Sequence, residues 1–85
     1  MRKSVLLVDR SSNLLLLLAD YLRFKGLELY TAKSIEKGWQ LYVETKPDLI
    51  VSDIAIKFND CGYRFLKQVR DRDRQQPFIF LSAQR

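Results

Sequence analysis

The chain has 85 residues, 47% of them hydrophobic, with ten aromatics and a formal charge of +5, a balance that excludes a disordered polymer and leaves room for one small domain. It holds no histidine and one cysteine, Cys61, which excludes a Ser-His-Asp triad, a Cys-His pair, a phosphohistidine carrier and an internal disulfide. The longest apolar run, Leu14 to Ala19, falls far short of a membrane span, and the basic residues are interleaved with acids, as in Arg70-Asp71-Arg72-Asp73-Arg74, which argues against direct nucleic-acid binding by this segment.

Met1-Arg2-Lys3 leads straight into a strand pattern without a small-residue cleavage site, which predicts a cytoplasmic protein. Ser4 to Val8 is that first strand, an unbroken apolar run of the kind covered on both faces, closed by Asp9. Arg10-Ser11-Ser12-Asn13 then turns the chain, and Ser11 or Ser12 is placed to cap a helix from about Asn13 to Lys25. Leu14, Leu17, Leu18, Tyr21 and Leu22, with Leu15, recur at helical spacing and predict its inner face. Asn13, Asp20 and Arg23 fall opposite, and Leu16 falls with them. Gly26 is the residue that ends this helix most cheaply in a left-handed conformation.

Leu27 to Ala32 alternates Leu27, Leu29 and Thr31 against Glu28 and Tyr30, the pattern of an edge strand. Ser34 caps a second helix over about Ile35 to Lys46, with Ile35, Trp39, Tyr42 and Val43 as its inner stripe. Gly38 marks a close approach to the sheet, and Pro47 ends the helix.

The stretch Pro47-Asp48-Leu49-Ile50-Val51-Ser52-Asp53 organises the rest: buried-type residues run into a carboxylate just where the pattern turns polar, which is how a central parallel strand ends. Ile54 to Cys61 is a loop long enough to fold over a strand end. Gly62 opens a third helix to about Arg70, with Phe65, Leu66 and Val69 inward, and Pro77 precedes a fourth buried strand, Phe78 to Leu81, closed by Ser82. In a right-handed β-α-β-α-β-α-β succession the strand ends share one rim. Asp9, Asp53 and Ser82, distant in sequence, are therefore predicted to converge there.

In their order and spacing, Val5-Leu6-Leu7-Val8-Asp9, the leucine-rich first helix ending in Arg23-Phe24-Lys25-Gly26, Tyr30-Thr31-Ala32, the Pro47 to Asp53 stretch, Gly62-Tyr63-Arg64-Phe65-Leu66 and Phe80-Leu81-Ser82-Ala83 resemble the receiver domain of two-component response regulators. The resemblance implies an α/β fold, the CheY-like (flavodoxin-like) doubly wound parallel sheet in the order 2-1-3-4. It lacks the fifth strand and the last two helices, so residues 1–85 would form a single incomplete receiver domain. The implied role is that of a signalling module and not an enzyme: Asp53 accepts phosphate from a sensor histidine kinase in a His-to-Asp phosphorelay, with transcription regulation as its output. Asp9 would be an acid of a Mg²⁺ site and the Ala55 backbone carbonyl a further ligand, while Ser82 would contact the phosphoryl group as the switch.

Three departures open an alternative. Arg10 stands where receivers carry a second acid, and its guanidinium could instead pair with Asp53. Lys57 occupies the usual proline position with one extra residue before Gly62, and the family's phosphate-contacting lysine has no counterpart. The second reading is thus a degenerate or truncated pseudo-receiver, a protein interaction module that works without phosphorylation. The absent last strand further implies self-association through an exposed fourth-strand edge. The likeness of the leucine-rich helix to cyanobacterial and plastid-encoded regulators adds the plastid stroma to the cytoplasm as a location.

Overall fold

The three apolar runs and the alternating stretch before Ala32 each become a strand, and each intervening amphipathic stretch a helix. The computed structural model describes residues 2–9, 12–53 and 62–81, of which 12–15 are described in backbone alone. The elements are β1 (Ser4–Val8), α1 (Ser12–Phe24), β2 (Glu28–Ala32), α2 (Ile35–Thr45), β3 (Leu49–Asp53), α3 (Gly62–Arg72) and β4 (Phe78–Leu81). All strand pairs are parallel, in the order β2-β1-β3-β4. The chain has the CheY-like doubly wound arrangement that its strand pattern implied.

β1 lies at the centre because its apolar residues alternate between two cores. On one face Leu6 and Val8 join Ile50, Ile35, Tyr42, Phe65 and Val69; on the other Val5 and Leu7 meet Leu18, Leu22, Leu27, Leu29, Leu49 and Val51. Every residue of β1 is buried. Enclosing one large side chain such as Phe65 contributes roughly 1.5–3 kcal/mol, so the α2–α3 side of the sheet carries most of the apolar stabilisation. The register follows from the same alternation. Leu6 pairs with Ile50 and Tyr30, and a slip of one residue would turn both cores inside out.

α2 begins as expected: Ser34 is extended, and its hydroxyl accepts a hydrogen bond from the Lys37 backbone N–H at 3.1 Å. Gly38 faces the sheet so closely that a β-carbon there would stand 3.1 Å from Val8 Cγ2 and 3.4 Å from Phe65 Cζ. The helix ends at Lys46, whose left-handed backbone (φ 48°) donates its N–H to the Tyr42 carbonyl. Pro47 disfavours a further helical residue before it, which explains a non-glycine here.

α1 differs from its sequence pattern. Ser12 lies inside the helix and is not its cap, and Ser11 lies outside the described residues. Leu18, Ala19 and Leu22 face the sheet, whereas Leu17 is 71% and Tyr21 58% exposed, with Phe24 84% exposed at the helix end. A helix resting on a sheet buries one stripe, and the leucine-rich face of α1 is wider than the stripe β1 and β2 can cover. β4 departs similarly. Its apolar run predicts burial on both faces, but Phe78 packs on the α2–α3 core while Ile79, on the other face, remains 51% exposed. Among the described residues β4 pairs only with β3 and so forms one edge of the sheet.

At the opposite rim a side chain ties the two central strands together. The Asp48 carboxylate accepts from the Ser4 backbone N–H at 2.8 Å and from its hydroxyl at 3.5 Å, and the Asp48 N–H donates to the Ser4 carbonyl at 2.9 Å. Replacing Asp48 by Ala leaves the Ser4 N–H without its carboxylate partner and should lower unfolding free energy by about 1–3 kcal/mol in a urea titration. An unchanged midpoint would mean that this link contributes nothing.

Candidate functional site

The carboxyl ends of parallel strands in an open α/β sheet are where ligands gather, and two carboxylates lie on that rim. The Asp9 backbone N–H donates to the Ala32 carbonyl at 3.0 Å, carrying the β1–β2 ladder one residue past the strand. Val8 pairs with Ser52, so Asp9 and Asp53 occupy the next step of the β1–β3 register. Asp9 is only 3% exposed. A carboxylate buried so deeply is held by a partner, and Asp9 does engage one. Asp53, the last residue of β3, is half-buried and pairs with Leu81 of β4.

Two neighbours of Asp53 went unrecognised in the sequence. Ser52 is fully buried, and its hydroxyl donates to the Asp53 carbonyl at 2.9 Å. Gly62 opens α3 directly against the same carbonyl: a β-carbon there would collide with the Asp53 backbone oxygen and stand 2.7 Å from Phe80 Cε1 and 3.2 Å from Ser52 Oγ. The end of β3 is thus confined from below by a hydroxyl and from the side by the start of a helix. The available signals were a lone hydroxyl in an apolar run and a glycine at a helix start, and neither specifies such an approach without the fold.

The structure therefore brings Asp9 and Asp53 to one rim. Arg10, Ala55 and Ser82, the other residues assigned to this site from the sequence, lie outside the described residues. For Mg²⁺ the chemistry of the two described donors is suitable, since the ion takes oxygen ligands, is commonly held by one or two carboxylates and keeps several waters. Among the described residues there is no group of three or more acidic, cysteine or histidine side chains that would make a closed metal site.

Comparison with known proteins agrees with this fold. The sequence profile of the response regulator receiver domain matches residues 5–85. The transcriptional regulatory protein RprY of Bacteroides fragilis is 33% identical over 79 residues, covering 93% of this chain and 33% of that protein. The alkaline phosphatase synthesis transcriptional regulatory protein PhoP of Bacillus subtilis is 32% identical over 83 residues, covering 98% of the chain and 34% of that protein. The chain thus spans about a third of the length of these curated relatives. Among solved structures, a putative response regulator from Chloroflexus aurantiacus superposes with a TM-score of 0.91 at 28% identity, over 99% of this chain and 70% of that one. Chemotaxis protein CheY4 of Vibrio cholerae gives a TM-score of 0.92 at 24% identity, over 100% of this chain and 72% of that one, and supports the fold alone.

The confinement of the β3 terminus makes Gly62 the most demanding position at the rim. Gly62→Ala must push α3 or the Asp53 peptide aside, because the obstructing atom is backbone, and should cost about 1–3 kcal/mol or more by urea unfolding. A variant as stable as the parent would show that the two elements separate freely.

Proposed function

The chain belongs to the response regulator receiver domain family, and on that premise we propose that it is the phosphoryl-accepting module of a His-to-Asp phosphorelay, with Asp53 as phosphoacceptor and transcription regulation as output. The observation that carries the proposal is the half-buried carboxylate of Asp53 at the carboxyl end of the central β3 strand, in register with the buried Asp9. Relatives that are transcriptional regulators support the output.

In the transfer, an Asp53 carboxylate oxygen attacks the phosphorus of a sensor kinase's phosphohistidine. An O–P bond forms, the P–N bond breaks, and the imidazole leaves with the bonding pair and takes up a proton. Approach of an anionic phosphoryl group to a carboxylate is opposed by like charge, and bound Mg²⁺ supplies the neutralising charge. Asp9 is the described side chain that would hold the ion beside Asp53, with the Ala55 carbonyl as a further ligand. Ser82 is assigned the hydrogen bond to the phosphoryl oxygen. Ser52 and Gly62 constrain the backbone from which the nucleophile projects.

A second reading has its own support. Arg10 follows Asp9 directly and places a cation where receivers have an acid, which would weaken metal binding and pair with Asp53 instead. The chain would then be a pseudo-receiver that interacts with partners independently of phosphate. One experiment separates the two. Incubation with Mg²⁺ and acetyl phosphate should add a single phosphoryl group by mass spectrometry, and Asp53→Asn should abolish it. No labelling of the parent, or labelling that survives the substitution, would favour the pseudo-receiver.

Partners follow from the same assignment: a sensor histidine kinase in either the active or the relict system, and a second copy of the chain. No helix among the described residues is long and apolar enough to cross a membrane, and we place the protein in the cytoplasm. Self-association is supported by the two sheet edges being unlike. β2 presents exposed Glu28 and Thr31, whereas β4 is the uncharged sequence Phe-Ile-Phe-Leu with Ile79 exposed. Sedimentation should show association that grows with concentration and weakens in Ile79→Lys. A monomer at every concentration would exclude the β4 edge as an interface.

A further inference from the structure

A cavity of ≈ 290 Å³ opens at the rim opposite Asp53, between the carboxyl-terminal ends of α2 and α3, and is lined by Tyr42, Val43, Lys46, Arg72, Asp73 and Gln76. That size lies at the small end of ligand pockets, which run from about 300 to 1,000 Å³. Its floor is fixed by Gln76, a buried side chain whose amide donates to the Pro47 and Pro77 carbonyls at 3.1 Å each, so the entries to β3 and β4 are held at a set spacing.

Carbonyl groups at two converging helix ends would normally repel an anion. The last helical hydrogen bonds run to Tyr42 O, from the Lys46 N–H at 3.0 Å, and to Val69 O, from the Asp73 N–H at 2.7 Å, and the carbonyls beyond them are balanced by the cationic side chains near each helix end, the C-cap Lys46 on α2 and Arg70 and Arg72 on α3. The Arg70 guanidinium donates to two carbonyls of the turn after α3, Gln76 O at 2.6 Å and Asp73 O at 3.3 Å. Two cationic side chains stand at the mouth beside one carboxylate. Among the described residues the side chains of Lys46 and Arg72 make no hydrogen bond or ion pair, whereas the Asp73 carboxylate is engaged by the Gln75 N–H at 2.9 Å.

Tyr42 adds the second observation. It is buried to 5% exposure, its ring rests 5.3 Å from that of Trp39, and among the described residues its hydroxyl has no hydrogen-bond partner. Among the described residues no fully enclosed side-chain polar atom is left unpaired, so this hydroxyl is open to solvent, and Tyr42 lines the cavity. Burial, then the Asp73 carboxylate, raises its pKa above the ordinary 10.0 against the pull of Arg72 and Arg70, so it remains a donor at neutral pH.

We infer that this cavity binds a small organic monocarboxylate, its carboxylate between Lys46 and Arg72 and its apolar body on Val43 and the Tyr42 ring. The Asp73 carboxylate at the same mouth opposes a phosphate dianion more strongly than a monoanion, and Val43 and the Tyr42 ring suit an apolar body. The site is independent of phosphoryl transfer at Asp53, since it lies at the other end of the strands.

Titrating the full chain with benzoate, followed by amide NMR, should shift the signals of Val43, Lys46, Arg72 and Gln76 with saturation. The neutral isostere benzamide should not, and inorganic phosphate should compete poorly. Arg72→Gln, at an exposed helix end, should keep the dispersed spectrum and weaken benzoate about tenfold or more, the loss expected for one charge-assisted hydrogen bond. Saturation by benzamide at similar concentrations, equal competition by phosphate, or shifts confined to other surfaces would overturn the assignment, as would no shift with benzoate.

Discussion

The double-sided burial of β1 is the constraint on which the rest depends. Its backbone is hydrogen-bonded to β2 on one side and β3 on the other, while its side chains alternate into two separate cores. A strand in that position cannot shift register without moving Leu6 and Val8 out of one core and Val5 and Leu7 out of the other. The positions of Asp9 and Asp53 on one rim, and of Ser4 and Asp48 on the other, follow from that single alignment. The rim chemistry is therefore inherited from packing several residues away.

Close approach is the second theme. Gly38 brings α2 onto Val8 and Phe65, and Gly62 brings α3 onto the end of β3. Each is a place where a helix meets the sheet through absent side-chain volume, and both helices lie on the same face. That face accordingly holds the large enclosed residues Phe65, Leu6, Ile50 and Val69. Among the described residues the α1 face has no glycine approach; its buried members are Val5, Leu7 and the small Ala19, beside half-covered leucines and Val51. The asymmetry explains why most of the exposed apolar residues lie on α1 and on the outward face of β4, with Tyr63 of α3 apart from them.

The two rims differ in what they offer. At the carboxyl ends of the strands the described side chains are acidic, suited to a cation and to nucleophilic attack. At the amino ends, the cationic Lys46 and Arg72 line a cavity beside Asp73, and Asp48 holds the Ser4 N–H. Because helices and strands run antiparallel in this architecture, each rim collects one end of every element. The charged groups at each rim are then a consequence of which residues close the turns.

Much of this was legible in the chain itself. Strand and helix identities, the Ser34 cap, the close approach at Gly38, the strand order expected from the family resemblance and the placement of Asp9 and Asp53 at one rim all rest on local periodicity, turn chemistry and motif order, which a sequence carries directly. The tertiary structure decided what depends on neighbours. It turned Leu17 and Tyr21 outward although they share a spacing with Leu18 and Leu22, left Ile79 half-exposed in an apolar strand, placed the Ser52 hydroxyl on the Asp53 carbonyl, and joined Tyr42 to Arg72 around one cavity. The physical reason is that periodicity specifies which residues share a face, whereas coverage of that face is set by elements distant in sequence.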